Sequence, residues 1–187
     1  MLCCLLNTKQ LYWISIITCN IYFYNMPIPN AAYWINRLKL QPHPEGGYYT
    51  EVFRSAQLVT RSGEATVKQA CTSIYYLLEG KDFSGFHRIG SDEIWYFHKG
   101  VPLLIHVIDQ SGNYTAHELS DADTGSLSVV VPAGLWFASE VRSGNGFVLV
   151  SCAVAPGFDF AEFEMAKKHD LITHYPQHTA LLSRLCR

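Results

Sequence analysis

The feature that most constrains the fold is a series of short, strand-like segments that fills residues 71–155. The segments are rich in β-branched and aromatic residues, and turn-forming pairs such as Glu79-Gly80 and Lys99-Gly100 separate them. Short strands at intervals of about 8–12 residues, with turns between them, are typical of β-sandwiches and barrels. The predicted strands cover residues 71–78, 84–88, 92–98, 102–108, 114–119, 126–131, 136–141 and 146–155.

Short helices are predicted on either side of this series. Asn30 is a suitable N-cap for a helix over Ala31–Leu38, and Tyr48–Arg54 alternates like a strand. Residues 57–68 are polar and are predicted as a hairpin or loop. Near the other end, Asp159 is a predicted cap for a helix over residues 160–168, and a second helical stretch covers residues 177–185. The sequence therefore predicts an all-β barrel with short flanking helices at the N- and C-termini.

Composition narrows the class of protein. The 187 residues are 49% hydrophobic and 16% charged, which indicates one folded domain with a substantial core rather than a disordered chain. The net charge is −2 and the Lys and Arg residues are scattered, so no nucleic-acid partner is expected. The six Cys residues include no C-x-x-C pair, which argues against a zinc knuckle or a redox dithiol. A reduced, cytoplasmic location is the simplest interpretation.

The first 25 residues differ from the rest of the chain. Their apolar stretch, residues 11–24, is shorter than the roughly 20 residues that a membrane span needs. A signal peptide is also a weak interpretation, because only Lys9 is basic and residues 21–24 are bulky. We therefore expect residues 1–25 to be an extra segment before a single domain over residues 26–187, without a membrane partner. A membrane anchor and a signal peptide are the second and third alternatives.

The densest cluster of chemically active side chains lies at residues 85–100. Residues two apart in a strand share a face, so Glu93, Trp95 and Phe97 are predicted to point to one side of theirs. A carboxylate among large aromatic residues needs a partner, since burying a lone charge is costly. His87 on the preceding predicted strand is the expected partner. A pair of this kind either binds a metal or transfers protons.

This stretch resembles the first cupin motif, G-x5-H-x-H-x3-4-E-x6-G. The matching residues are Gly80 (with one extra residue of spacing), His87, Glu93 and Gly100. The second cupin motif, G-x5-P-x-G-x2-H-x3-N, is similar at Gly125, Pro132 and Gly134. Two histidine positions of the motifs fall on Ile89 and Phe137, and the asparagine position falls on Val141.

Further strings resemble one branch of that superfamily, an uncharacterised cupin family known only as a domain of unknown function. They lie at residues 42–49, 73–78, 91–95, 131–134 and 155–160, within a match over about residues 28–176. The resemblance implies a double-stranded β-helix, the RmlC-like cupin jelly roll, which often forms a homodimer. It implies no established reaction.

The resemblance also bears on metal binding. A cupin metal site uses three His and one Glu, and only His87 and Glu93 are retained here. Two protein ligands hold a divalent ion poorly. We therefore expect no cofactor, with a divalent metal on His87 and Glu93 as the alternative. His43 or His98 is a substitute ligand, although His98 is predicted to face away from Glu93.

Candidate site residues follow from these motifs. We predict His87 as a base, Glu93 as its partner and Tyr75, or else Tyr49, as the acid. His43 and Glu45 are predicted as exposed loop residues, and Glu51 with Arg54 as an exposed pair at the rim. The predicted ligand-binding residues are Tyr49, Glu51, Arg54, Ser73, Phe86, Arg88, Asp92, Trp95, Phe97, Trp136 and Phe137.

The leading functional hypothesis is a barrel that binds a small polar or ring-bearing ligand. Its catalytic version is a metal-independent epimerase or isomerase acting on a sugar or nucleotide sugar. The first alternative is a non-catalytic binding or assembly module with a dry interior, in which His87 and Glu93 satisfy each other. The second alternative is a metal-dependent, oxygenase-like enzyme.

Overall fold

The strand-like segments form two facing antiparallel sheets in the computed structural model, which describes residues 29–187. The strands are β1 (Gln41–Pro42), β2 (Tyr48–Arg54), β3 (Leu58–Thr60), β4 (Val67–Gln69), β5 (Thr72–Glu79), β6 (Phe83–Ile89), β7 (Asp92–Gly100), β8 (Leu103–Ile108), β9 (Tyr114–Leu119), β10 (Ser128–Val131), β11 (Trp136–Val141), β12 (Phe147–Ala155) and β13 (Phe163–Met165). One sheet has the order β1-β2-β5-β12-β7-β10, and the other has the order β13-β6-β11-β8-β9. Strands β3 and β4 form a separate hairpin.

Among the described residues, three short α-helices cover the sandwich. They are α1 (Ala31–Leu38), α2 (Lys168–His174) and α3 (Thr179–Leu185), and 3₁₀ turns lie at Phe160–Glu162 and Pro176–His178. Asn30 caps α1 as predicted, because its Oδ1 accepts a hydrogen bond of 2.9 Å from the Tyr33 N–H. None of the helices among residues 29–187 has the length and apolar character needed to cross a membrane.

Alternation along the strands sorts side chains into separate apolar layers. Between the sheets lies the main core, to which Tyr76, Trp95 and Phe137 contribute large buried rings. A second layer contains Phe86 and joins the outer face of the five-stranded sheet to α2 and α3. A third layer joins α1 to the outer face of the six-stranded sheet. The predicted inward face of β7 is confirmed, since Trp95 and Phe97 both pack in the main core.

The predicted helix over residues 160–168 is wrong. Asp159 does cap a helical turn, but that turn covers only Phe160–Glu162, after which β13 pairs with the edge of β6. Pairing satisfies the backbone of β6 there, and it places Phe163 opposite Ile89. Glu162 and Glu164 consequently lie in the 3₁₀ turn and in β13, not on a longer helix. The predicted extra segment, residues 1–25, lies outside the described residues.

Candidate functional site

A cavity of about 440 Å³ lies in the barrel and is lined by residues of both sheets and of the loop between β1 and β2. Its floor carries four ionisable side chains, His43, Glu45, His87 and Glu93. Phe158, Phe160 and Phe163 line another part of it. A concave site with a few converging polar groups on an apolar wall is the usual form of a small-molecule site.

The nearest carboxylate to His87 is Glu45 rather than the predicted Glu93. The distance from His87 Nε2 to Glu45 Oε2 is 3.1 Å, and the two side chains are 3% and 7% exposed. His87 Nδ1 lies 2.8 Å from the carbonyl oxygen of Gly85, so this nitrogen carries a proton and donates it. Nε2 and Oε2 face each other within the distance of an ion pair, so the protonation state of each group depends on that of the other.

Burial acts on both members of this pair. Burial raises the pKa of the Glu45 carboxyl, and the nearby charges of His43 and Arg187 oppose that rise. Burial lowers the pKa of His87, and the charge of Glu93 opposes that change. Each shift favours the uncharged form of its group. The neutral carboxyl and the neutral imidazole are therefore the favoured forms of this pair.

His43 completes this side of the floor. Its Nδ1 accepts a hydrogen bond of 3.3 Å from the backbone N–H of Glu45, and its ring packs edge-on against Tyr49 at 4.5 Å. An acceptor nitrogen carries no proton, so the tautomer with a proton on Nε2 is assigned. Burial lowers the pKa of His43, which agrees with a neutral ring.

Glu93 is a buried carboxyl that faces the cavity. Its exposed fraction is 7%, and it makes no ion pair with any residue in the range 29–187. Burial raises its pKa to about 7, although His87, Cys152 and Trp95 act in the opposite direction. A carboxyl with this pKa exists in both protonation states near neutral pH, as a general acid or base requires.

The loop after β1 explains how Glu45 reaches the floor. Gly46 and Gly47 have φ values of 114° and 69°, which side chains with a Cβ rarely adopt. A Cβ on Gly46 would lie 2.1 Å from the carbonyl oxygen of Phe83. The Tyr76 hydroxyl donates a 2.7 Å hydrogen bond to the carbonyl of Gly46. These contacts turn the loop inwards. Glu45 is therefore buried, whereas the sequence predicted an exposed residue.

The backbone of Glu45 is held from behind as well. Its carbonyl oxygen accepts hydrogen bonds from the Gly85 N–H at 2.8 Å and from Arg187 Nε at 2.7 Å. The Arg187 side chain also bonds to Asp82 and to the Phe83 carbonyl. Arg187 therefore holds in place the loop that carries Glu45, one member of the His87–Glu45 pair.

The rim of the cavity carries a closed ion pair. Arg54 donates from Nε and from one terminal nitrogen to the two carboxylate oxygens of Glu51, at 3.0 Å and 2.6 Å. Both side chains are 41% exposed, so this pair matches the predicted exposed rim pair. Of the other predicted ligand-binding residues, Tyr49 and Ser73 also line the cavity.

Tyr75 does not line the cavity. It packs with the layer under α1, and its ring lies 5.8 Å from that of His98, whereas its neighbour Tyr76 points into the main core. The sequence alternation separated these two tyrosines correctly but did not indicate which one faces inwards. The placement of Tyr75 corrects its assignment to the cavity as the acid.

Three more predicted residues lie on the outer face of the five-stranded sheet. Phe86 packs against the C-terminal helices, and Arg88 stacks on Trp136 at 4.6 Å while it pairs with Glu164. Strand alternation accounts for this placement, because Phe86 and Arg88 flank the inward-facing His87. All three residues are therefore outside the cavity.

The remaining predicted residues support the site from nearby. Trp95, Phe97 and Phe137 belong to the main core, and the Phe137 ring lies 4.1 Å from that of His87. Asp92 is exposed and accepts a 2.9 Å hydrogen bond from the Ala133 N–H. None of these four lines the cavity directly.

The sequence predicted His43 and Glu45 as exposed loop residues and so missed their position in the cavity. Their signal was present, because the string at residues 42–49 was one of the segments that resemble the cupin branch. The strand pattern does not extend to an irregular loop, so it indicated nothing about burial there. Phe158, Phe160 and Phe163, which line the cavity, are not among the predicted site residues either.

The donor set does not fit the cupin metal shell of three His and one Glu. The two absent histidines are replaced by Ile89 and Phe137, and His87 Nε2 already faces Glu45 at 3.1 Å. Within residues 29–187, no three His, Cys, Asp or Glu side chains converge as a metal site would require. The expectation of no cofactor stays a prediction.

Comparisons with known proteins agree with this architecture. The model of the family described as Cupin superfamily (DUF985) matches residues 32–166. The uncharacterized protein YML079W of Saccharomyces cerevisiae is 28% identical over 194 residues, which is 87% of this chain and 91% of that protein.

Two solved structures are similar over most of the chain. A hypothetical protein from Leishmania major has 39% identity and a TM-score of 0.79, covering 84% of this chain and 99% of that one. Protein SO0799 from Shewanella oneidensis has 37% identity and a TM-score of 0.78, covering 86% and 99%. The names of these relatives state no activity.

Proposed function

This chain belongs to the cupin superfamily family DUF985, and on that premise we propose that its barrel binds a small, polar, ring-bearing molecule and transfers protons on it, as sugar epimerases and isomerases do. One observation carries the proposal. A buried pair of His87 and Glu45, 3.1 Å apart, lines the same cavity as Glu93, whose pKa is raised by burial to about 7. Pairs of buried titratable groups of this kind are concentrated at catalytic sites.

The proposed chemistry uses the two groups in different roles. Glu93, as carboxylate, removes the proton from a carbon next to a carbonyl group of the substrate. The His87–Glu45 pair donates the carboxyl proton of Glu45 to the carbonyl oxygen, which gives the enediol. Glu93 then returns its proton to a carbon of the enediol, and the enediol hydroxyl that becomes the new carbonyl returns a proton to the His87–Glu45 pair. The isomerisation or epimerisation therefore leaves both groups in their starting protonation states.

Hydrogen exchange with solvent tests this chemistry directly. We would incubate the protein with glucose, fructose, glucosamine or dihydroxyacetone in D₂O and follow the C–H signals next to the carbonyl by ¹H NMR. We expect exchange with at least one compound and a loss of about 100-fold or more in Glu93→Gln, because acid–base groups contribute this much. Glu164→Gln, on the outer face, is the matched control and retains the rate.

Exchange by Glu93→Gln at the wild-type rate contradicts the catalytic role of this carboxyl. Binding without any exchange supports instead the non-catalytic module, the first alternative. That alternative expected a dry interior with His87 paired to Glu93, whereas a cavity of about 440 Å³ and a His87–Glu45 pair favour a ligand site.

A homodimer is the second part of the proposal. Exposed apolar side chains on β2 and on the β3–β4 hairpin support a second copy as partner, and they include Val52, Phe53, Leu58 and Val67. Size-exclusion chromatography with light scattering measures the mass in solution. We expect a dimer from the wild type and a monomer from Leu58→Asp. The cytoplasmic location also stays a prediction, for which imaging of a tagged protein is the measurement.

A further inference from the structure

The lining of the cavity is acidic. It contains the carboxyls of Glu45, Glu51 and Glu93, and Arg54 is its one Lys or Arg residue among those described. Arg54 is already bound through two hydrogen bonds to Glu51 at the rim. The rings of His43 and His87 are buried, which disfavours a positive charge on either. No free cation of the described lining is therefore available to an incoming anion.

Glu93 is the acidic group that lacks a counter-charge. It is more than nine-tenths buried, it lines the cavity, and no described residue forms an ion pair with it. Burying a carboxylate without a partner is costly, and a cation within a few ångströms removes much of that cost. A positively charged ligand would therefore gain more at this position than a neutral one.

The aromatic wall is suited to the same kind of ligand. The rings of Phe158, Phe160 and Phe163 pack edge to face, with centroids 4.9, 6.0 and 6.1 Å apart, and all three line the cavity. Aromatic faces attract organic cations, and carboxylates beside them add the counter-charge. The apolar face of a ligand ring can also pack against these phenylalanine rings.

We propose that the ligand of this cavity carries a positive charge, as an ammonium group on a ring-bearing molecule, with Glu93 as the counter-ion. This inference rests on the ligand site of the proposed function and specifies its substrate class. It favours an amino sugar or another cyclic amine over a nucleotide sugar, because a diphosphate would meet an acidic lining whose arginine is already paired.

Three probes with the same ring and different charges test the assignment. Benzylamine, benzyl alcohol and benzoate present a cation, a neutral group and an anion, and their binding to the full chain is measured by calorimetry or by ligand-observed NMR. We expect benzylamine to bind about tenfold or more tightly than benzyl alcohol, because a nearby counter-charge acts in a region of low dielectric. Benzoate is expected to be the weakest of the three.

Two variants identify the groups responsible. In Glu93→Gln we expect the preference for benzylamine over benzyl alcohol to fall about tenfold, while benzyl alcohol itself binds as before. In Glu51→Gln, which frees Arg54, we expect the affinity for benzoate to rise. Glu164→Gln makes the same chemical change outside the cavity and retains the wild-type order. Thermal melting of each variant establishes that it is folded.

Several outcomes overturn the assignment. They are benzoate binding as tightly as benzylamine, a preference for benzylamine that survives in Glu93→Gln, and failure of all three probes to bind at millimolar concentration. These measurements require no catalysis, so they are decided separately from hydrogen exchange. Exchange on a neutral sugar without selectivity for benzylamine would leave the proposed function in place and remove only the charge assignment.

Discussion

Two glutamates near the same cavity have opposite electrostatic surroundings. Glu93 on the floor is buried without an ionic partner among residues 29–187, and burial raises its pKa to about 7. Glu162 is near the rim, where it accepts hydrogen bonds from Arg61 at 2.8 and 2.9 Å and from Lys68 at 2.6 Å. Those bonds lower the pKa of Glu162 to about 2.

The difference shows that the environment, and not the residue type, assigns the role. Desolvation without a cation keeps Glu93 able to gain and lose a proton near neutral pH. Two cations keep Glu162 ionised, and their bonds connect the β3–β4 region to the turn before β13. Glu93 is therefore suited to chemistry, whereas Glu162 is suited to holding the mouth of the cavity together. The two groups also make stability depend on pH in opposite directions.

The largest expected effect is the pH dependence of stability from Glu93. The unfolded chain releases this proton near the ordinary pKa of 4.5 and the folded chain near about 7, so raising the pH lowers the free energy of unfolding. We expect Glu93→Gln to gain about 3 kcal/mol relative to wild type between about pH 4 and about pH 8. Urea unfolding at several pH values measures this difference.

Parallel curves for Glu93→Gln and wild type would show that folding does not change the pKa of Glu93, and the contrast between floor and rim would not hold. Glu164→Gln is the control for this experiment. Its carboxylate is 55% exposed, so we expect it to follow the pH dependence of the wild type.

The second effect concerns the rim. Glu162→Gln removes the carboxylate that pairs with Lys68, whose side chain is only 4% exposed. Because the lysine charge is then buried without a partner, we expect a loss of about 2 kcal/mol in the free energy of unfolding at neutral pH. The folded pKa of Glu162 lies below the unfolded one, so this contribution is lost as the pH falls from 4.5 towards about 2. The difference between wild type and variant should shrink over that range in urea unfolding.

Glu164→Gln is again the matched change. Its exposed pair with Arg88 should contribute about 0.5 kcal/mol or less. Equal losses in the two variants would mean that the buried Lys68 does not distinguish the rim cluster from an ordinary surface ion pair.

The smallest effect tests the support of the floor. Arg187→Met removes the bonds to Glu45, Phe83 and Asp82, and we expect about 1 kcal/mol less stability. It also removes a positive charge that holds down the pKa of Glu45, so the His87–Glu45 pair should keep its proton to higher pH. Thermal melting and NMR titration of the His87 ring measure the two effects.

Arg184→Met removes an arginine of the outer surface, where it pairs with Glu140, and it should leave the titration of His87 unchanged. A shift of the same size in both variants would show that the net charge of the protein, rather than contact of Arg187 with the Glu45 loop, controls the titration of His87.

Much of the fold could be predicted from the sequence, and so could two of the four floor residues, His87 and Glu93. The succession of strands along the chain and the inward face of β7 follow from local periodicity, which also places Glu93 inside. The Asn30 cap follows from the residue type at the start of the helix. The identity of the partner of His87 could not be obtained in this way. Glu45 lies in an irregular loop, where no repeat pattern relates one side chain to the next.

The choice between Tyr75 and Tyr76 illustrates the same limit. Alternation requires that these neighbours face opposite sides, but both sides of β5 are covered by apolar layers. The inward residue is therefore set by packing against Trp95 and by the Tyr76 hydrogen bond to Gly46, which are contacts between distant segments.

The sequence by itself determined the β-sandwich, the cupin resemblance and the presence of His87 and Glu93 in the interior, because strand periodicity and motif spacing are local properties. Only the tertiary structure decided that His87 pairs with Glu45, that Glu93 faces the cavity without a counter-ion among the described residues, and that Arg54 is already paired. These features depend on burial and on contacts across the sheets. Side-chain ionisation responds to that surrounding space rather than to neighbours along the chain.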